Sequence, residues 1–296
     1  MKAPDANVFI LGTMFCGSTL LGTALHQHPE VTHAGELAYL DRFYVALYGK
    51  EPSHRSVCFS CGFAGRPCPV WTPEVIAAAQ EAGIGGVHRY VRSFARTPIL
   101  VDGSKLTRWL GHYLHEAKPE IPTKVIISVR NPYAYVTSAK MYYQAAPIAS
   151  ALLWHNEYRE ALSTCAALNL DYLIVRHEDF MLRREAVIRR ISGFLGIEPV
   201  AAMWAPTYGP SCAIGGNPGV AALGNPEGGA RIAVPLHEVH WKRQGHGTLD
   251  ARWKTELSRQ EIETLAYAPG MADTAALLGY NLAMLQYEHF QAQKSA

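Results

Sequence analysis

The chain has 296 residues, 49% of them apolar and 18% charged, with a formal net charge of +2 at pH 7. A chain of this size and composition can bury one large core, either as one α/β domain or as a domain with a cap. The charge balance excludes a basic footprint for nucleic acid, and no apolar stretch approaches a membrane span. Asp5 and Asn7 precede an apolar run of only residues 8–11, unlike a secretory leader, so a soluble cytoplasmic protein is expected. The six cysteines are too sparse for a disulfide scaffold.

Residues 8–11, VFIL, read as a strand buried on both faces. Gly12 ends it, and Gly17-Ser18-Thr19 opens a segment in which Leu20, Leu21, Ala24 and Leu25 recur at helical spacing. The skeleton is G-x-x-x-x-G-S-T, a phosphate-loop spacing with Ser18 where the lysine usually stands. Backbone N–H groups of such a loop converge on an anion at a helix N-terminus. Users of ATP and GTP depend on the missing ammonium.

Pro29 stops the first helix, residues 31–33 read as a second strand, and Gly35-Glu36-Leu37 starts a helix expected to run to about Leu47. Glu36 therefore lies on the carboxyl edge of the sheet, where open α/β sheets bind ligands. It serves there either as a catalytic carboxylate or as favourable dipole placement. Residues 49–73 are irregular and read as an insertion or cap loop. Within it Cys58, Cys61 and Cys68, with His54 as a possible fourth ligand, leave zinc, a disulfide and plain packing all open. A helical pattern from residue 73 to 94 is broken by a turn at 83–86, and the strand 98–101 ends in Asp102-Gly103-Ser104-Lys105. Lys105 at the mouth of the next helix opposes the dipole unless an anion is near.

The string KVIISV, residues 124–129, is the expected central strand, and it leads into Arg130-Asn131-Pro132. Pro132 suits the first turn of a helix, which carries Ser138. A guanidinium at that strand end either pairs with a carboxylate or, with a hydroxyl on the helix, grips a phosphate. A long helix is expected over 149–168, its apolar face including Leu152, Leu153 and Leu162. Residues 172–175 read as another buried strand, followed by an amphipathic helix ending at Gly196. Residues 205–247 are rich in glycine and proline and read as a loop closing over a ligand, with Asn217 and Arg231 as candidate contacts. A helix over 258–267 completes the pattern.

The string GTMFCGSTLL, followed by HPEV and GEL, resembles the 5′-phosphosulfate loop of sulfotransferases, and VRNPYAYVTSAK resembles their 3′-phosphate motif. RHEDF with FLG, and the C-x-x-C…C-P-x-W pattern of the insertion, are also similar to members of that family. The resemblance runs from Val8 to roughly Tyr280 and departs at Phe15, where the family normally carries Arg or Lys, so another cation must take that place. It implies a single α/β domain with a largely parallel sheet, helices on both faces and a phosphate-loop-like 5′-phosphosulfate loop. It further implies a cytoplasmic enzyme moving a sulfuryl group from 3′-phosphoadenylyl sulfate (PAPS) to a hydroxyl or amine of a small molecule or glycan. The bisphosphate PAP is the product, and no metal is needed for the transfer. Phe15, Cys16, Gly17, Ser18, Thr19 and Leu20 would line the 5′ side, and Arg130 and Ser138 the 3′-phosphate. Glu36 would be the general base, and Lys105 would neutralise developing charge. A small-molecule kinase and a nucleotide-binding relative without catalysis are the alternatives.

Overall fold

The computed structural model describes residues 3–41, 58, 61, 67–205, 211–217, 220 and 249–295. Most of the 49–73 insertion, including His54, lies outside them, as do most of the 205–247 loop with Arg231 and residues 42–47 of the expected second helix. Among the described residues no helix is long and apolar enough to cross a membrane.

Five parallel strands form one sheet in the order β2-β3-β1-β4-β5. They are β1 (Ala6–Leu11), β2 (Val31–Gly35), β3 (Ile99–Lys105), β4 (Thr123–Val129) and β5 (Asp171–Arg176). The helices are α1 (Ser18–His26), α2 (Pro73–Ala95), α3 (Thr107–Ala117), α4 (Pro132–Tyr143), α5 (Pro147–Ala167), α6 (His177–Leu182), α7 (Arg184–Leu195), α8 (Trp253–Glu256), α9 (Arg259–Ala266), α10 (Met271–Leu277) and α11 (Leu282–Ser295). Alternation along β1 feeds two cores. Val8 and Ile10 pack with α1 and α7 on one face, while Phe9 and Leu11 pack with α2, α3, α4 and α5 on the other. The result is one α/β domain with helices on both faces.

The order of the strands makes a crevice. The chain leaves β1 through α1 toward β2, and leaves β4 through α4 and α5 toward β5 on the opposite side. The carboxyl ends of the adjacent strands β1 and β4 therefore diverge, which is where an open parallel sheet receives its ligand.

Four local expectations are corrected. β5 is an edge strand with Asp171 and Tyr172 exposed, because only β4 pairs with it. On α5 the buried residues are Ala151, Trp154, Tyr158, Ala161 and Cys165, while Leu152 and Leu153 are exposed. The aromatic pair wins that face because both polar tips find carbonyls: Trp154 Nε1 donates to Arg130 O at 3.1 Å and Tyr158 Oη to Ser128 O at 2.8 Å. The turn at 83–86 is a single kink in α2, at Gly83 with φ +61°. After Gly35 the described residues make a short 3-10 turn, Leu37–Leu40, with Asp41 extended.

Candidate active site

The 12–19 loop is shaped by two glycines at positive φ. A Cβ on Gly12 would lie 2.3 Å from the Ser128 carbonyl, and one on Gly17 would lie 2.4 Å from His177 Nδ1. Only glycine fits either place. From beneath, Tyr158 Oη reaches Thr13 N at 3.4 Å and Ser128 Oγ donates to Cys16 O at 3.1 Å. Helix α1 starts at Ser18 with no side-chain cap and no acidic residue in its first turn, so the positive end of its dipole faces the loop unanswered by a side chain. Cys16 is buried. Leu20 packs its side chain against the α1–α7 core, so its part in the loop is limited to its backbone.

Phe15 stands at φ +63° with its ring turned into aromatic company on α4, 5.4 Å from Tyr142 and 5.7 Å from Tyr143 between centroids. The position that normally carries a loop cation is thus spent on packing. A cation is nevertheless present. Lys105 ends β3, and its backbone carbonyl accepts from Gly12 N at 3.2 Å, which sets it against the loop. Its ammonium donates to Glu36 Oε1 and, at 3.4 Å, to Gly103 O. Glu36 and Lys105 are each about 13% exposed, buried enough to feel each other and open enough to be reached. Burial opposes the Lys105 charge, but the carboxylate beside it outweighs burial and raises the lysine pKa.

Both residues are delivered by irregular strand ends. Between their pairs with β1, Asp102 to Lys105 on β3 spans one residue more than Phe9 to Leu11, and β2 gains one likewise between His33 and Gly35. Each extra residue re-aims the side chains beyond it. A buried network then ties the two ends together. Asp102 accepts from His88 Nε2 at 2.9 Å, Trp109 Nε1 at 2.7 Å and Ser104 N at 2.9 Å, and Ser104 Oγ accepts from Ala38 N at 3.0 Å. The sequence string Asp102-Gly103-Ser104-Lys105 contained these residues without revealing their partners.

Arg130 closes the other side of the crevice. Its Nη1 donates to Phe15 O at 3.2 Å and to Ser138 Oγ at 3.3 Å, so the two phosphate motifs of the sequence meet at this guanidinium. Its Nη2 pairs at 2.5 Å with Asp250, which also takes a two-pronged grip from Arg252 at 2.8 and 2.6 Å. His177 lies beneath Gly17. Burial first, and the Arg130 charge second, hold its imidazole neutral by lowering its pKa to about 3. Asn217 reaches the loop through its backbone, which donates to Thr19 Oγ1 at 2.9 Å. Asp250, Arg252 and His177 had no signal in the sequence. Asp250 and Arg252 are placed by the chain returning to the end of β4, whereas His177 follows β5 directly and is set by that strand's end.

Comparison with known proteins identifies the family and the fold. A family model described as Sulfotransferase family matches residues 7–201. The chain belongs to the sulfotransferase family. It is 24% identical over 299 residues to nodulation protein NoeE of Sinorhizobium fredii (strain NBRC 101917 / NGR234), an alignment covering 92% of this chain and 65% of the relative. The chain thus spans just under two thirds of that curated relative's length. Among solved structures, the sulfotransferase domain of the Synechococcus PCC 7002 olefin synthase aligns with a TM-score of 0.56 at 23% identity, covering 90% of this chain and 96% of that one. The sulfotransferase domain of the curacin biosynthetic pathway gives 0.58 at 18% identity, covering 95% and 99%. At these identities the likeness concerns the fold.

Proposed function

We propose that the protein transfers a sulfuryl group from PAPS to a hydroxyl or amine of a small-molecule or glycan acceptor. The observation that carries the reading is the convergence of an uncapped helix N-terminus, the Arg130–Ser138 pair and the Glu36–Lys105 pair on one crevice. The residues suit a bisphosphorylated donor. The glycine-bounded loop and the first turn of α1 offer backbone donors to its 5′ end, and Arg130 with Ser138 offers a fork and a hydroxyl to its 3′-phosphate. Asp250 holds that fork meanwhile, and a phosphate group would exchange with it.

The donor supplies an activated sulfuryl group on a phosphate leaving group. Glu36 takes the proton of the acceptor hydroxyl as the new O–S bond forms and the S–O bond to the leaving phosphate breaks. Lys105 then meets the negative charge appearing on the departing oxygens. The ion pair couples the two events. While Glu36 is ionised it holds Lys105, and once it is protonated it releases the ammonium's charge just as the leaving group needs it.

The donor reading is tested by calorimetry with PAP, with and without magnesium, on the wild type and Arg130→Ala. The variant is expected to bind more weakly by on the order of 2–4 kcal/mol, with little change toward a nucleotide lacking the 3′-phosphate. Equal losses for both nucleotides, or binding that requires magnesium and prefers ATP, would replace PAPS with another donor.

A further inference from the structure

Cys58, Cys61, Cys68 and Cys212 come from three separated stretches, yet their sulfur atoms all lie within 4.8 Å of one another. We infer that these four thiols form a structural zinc site that ties Cys58, Cys61 and Cys68 to the 211–217 segment beside Glu36. The sequence offered the first three cysteines. Among the described residues the fourth member is Cys212, from the glycine-rich stretch beyond Trp204.

Three features distinguish a metal site from chance packing. A tetrahedral zinc with Zn–S bonds of about 2.3 Å has S···S edges of about 3.8 Å. The Cys61 and Cys212 sulfurs stand 3.8 Å apart, whereas a disulfide would need about 2 Å. Cys58 accepts a backbone N–H from Cys61, and Cys68 accepts one from Trp71 at 3.3 Å. Each of these donors lies three residues on from its sulfur, so the local backbone fixes where both sulfurs point. Finally, the grouping is selective, since Cys16 and Cys165, the chain's other two cysteines, are buried singly elsewhere. Three of the four ligands are buried with Trp71, Ala34, Leu37 and Ile214 in the larger core.

The site has a structural consequence for the crevice. Trp71 Nε1 donates to Cys212 O at 2.5 Å. Two residues on, Ile214 adds to the end of β2, taking Ala34 O at 2.8 Å and receiving Glu36 N at 2.8 Å. Asn217 then reaches Thr19 of the anion loop. Zinc would thus fix one end of the segment that holds Glu36 and the loop in register. This last step rests on the proposed role of Glu36, whereas the metal assignment does not.

The test is metal analysis of the full chain, purified without a metal-affinity step. About one zinc per chain is expected, replaced in cobalt-grown protein by the intense near-ultraviolet charge-transfer bands of tetrahedral thiolate coordination. Cys212→Ser should reduce zinc to below about a fifth of the wild-type content and lower the Tm, while Cys165→Ala should retain it. If Cys212→Ser does not fold, wild-type protein decides alone, through chelator-dependent alkylation of these four cysteines. Metal-free wild type, iron in place of zinc, disulfides among the four, or alkylation indifferent to chelator would each overturn the assignment. Zinc present with no turnover on any acceptor would leave the metal site standing and count against the proposed function instead.

Discussion

Lys105 adopts φ +70°, a conformation that costs a residue with a Cβ on the order of 1 kcal/mol or more. The strain is kept because it turns the ammonium from the end of β3 toward Glu36, beside the loop where Phe15 supplies no charge. Glu36 and Lys105 were legible in the sequence because each comes at the end of a strand, and the side chain after a parallel strand faces the ligand edge. Their mutual pairing was not, since the extra residues that bring them together leave no mark in the apolar pattern. Expected changes are separable. Glu36→Gln keeps the shape and loses the proton acceptor, so turnover should fall by about 10²–10⁴-fold with donor affinity nearly unchanged. Lys105→Ala should lower turnover by roughly 10²-fold, again sparing PAP binding, because the charge it meets develops during transfer. Single-turnover rates and calorimetry check both. More than about a third of the wild-type chemical rate in Glu36→Gln would remove Glu36 as the base, and normal turnover in Lys105→Ala would remove Lys105.

At the scale of elements, the central strands were readable because β1, β3 and β4 are continuous apolar runs. β5 was misjudged because its four apolar-looking residues do not show that only one neighbour pairs with it. On α5, leucines at 152 and 153 advertise a face, but hydrogen-bonded Trp154 and Tyr158 take the core, and that depends on carbonyls at Ser128 and Arg130 far away in sequence. The short bridge between Gly35 and Ile214 is equally invisible from either segment alone. It makes a sharp prediction. Gly35 sits at φ +86°, and a Cβ there would lie 2.1 Å from Ile214 O and 2.2 Å from Ile214 N, backbone atoms that cannot swing aside. Gly35→Ala should therefore displace the 211–217 segment, with destabilisation on the order of 1–3 kcal/mol and a loss of turnover exceeding any loss of PAP affinity. Thermal melts and steady-state rates measure both. A variant with wild-type Tm and turnover would show that the segment is dispensable to Glu36.

For the molecule as a whole, the distribution of buried polar groups sets how stability responds to acid. His33 is 3% exposed and sits on β2 between α1 and β3. Its Nε2 lies where a Cβ on Gly22 would come within 2.4 Å and one on Gly103 within 3.0 Å, so the ring fits because Gly22 carries no side chain, with Gly103 a tight second neighbour. Among the described residues its Nδ1 has no hydrogen-bond partner. Burial first, then the charges of His26 and Lys105, push its pKa down to about 3, with Asp102 opposing. In the unfolded chain an imidazole titrates near 6.5. The folded state thus keeps His33 neutral where the unfolded state takes up a proton. Its contribution to stability is complete above about pH 6.5 and is lost progressively as the pH falls toward 3. At pH 5 the loss from this residue amounts to about 2 kcal/mol. The check is denaturant unfolding at several pH values between 7.5 and 4.5 for the wild type and His33→Gln, a range about the unfolded-state pKa. Whatever the variant's starting stability, its curve should fall less steeply below pH 6.5, by about 2 kcal/mol across the interval to pH 5. Parallel curves would mean that His33 is protonated in the folded protein and that another group carries the acid sensitivity.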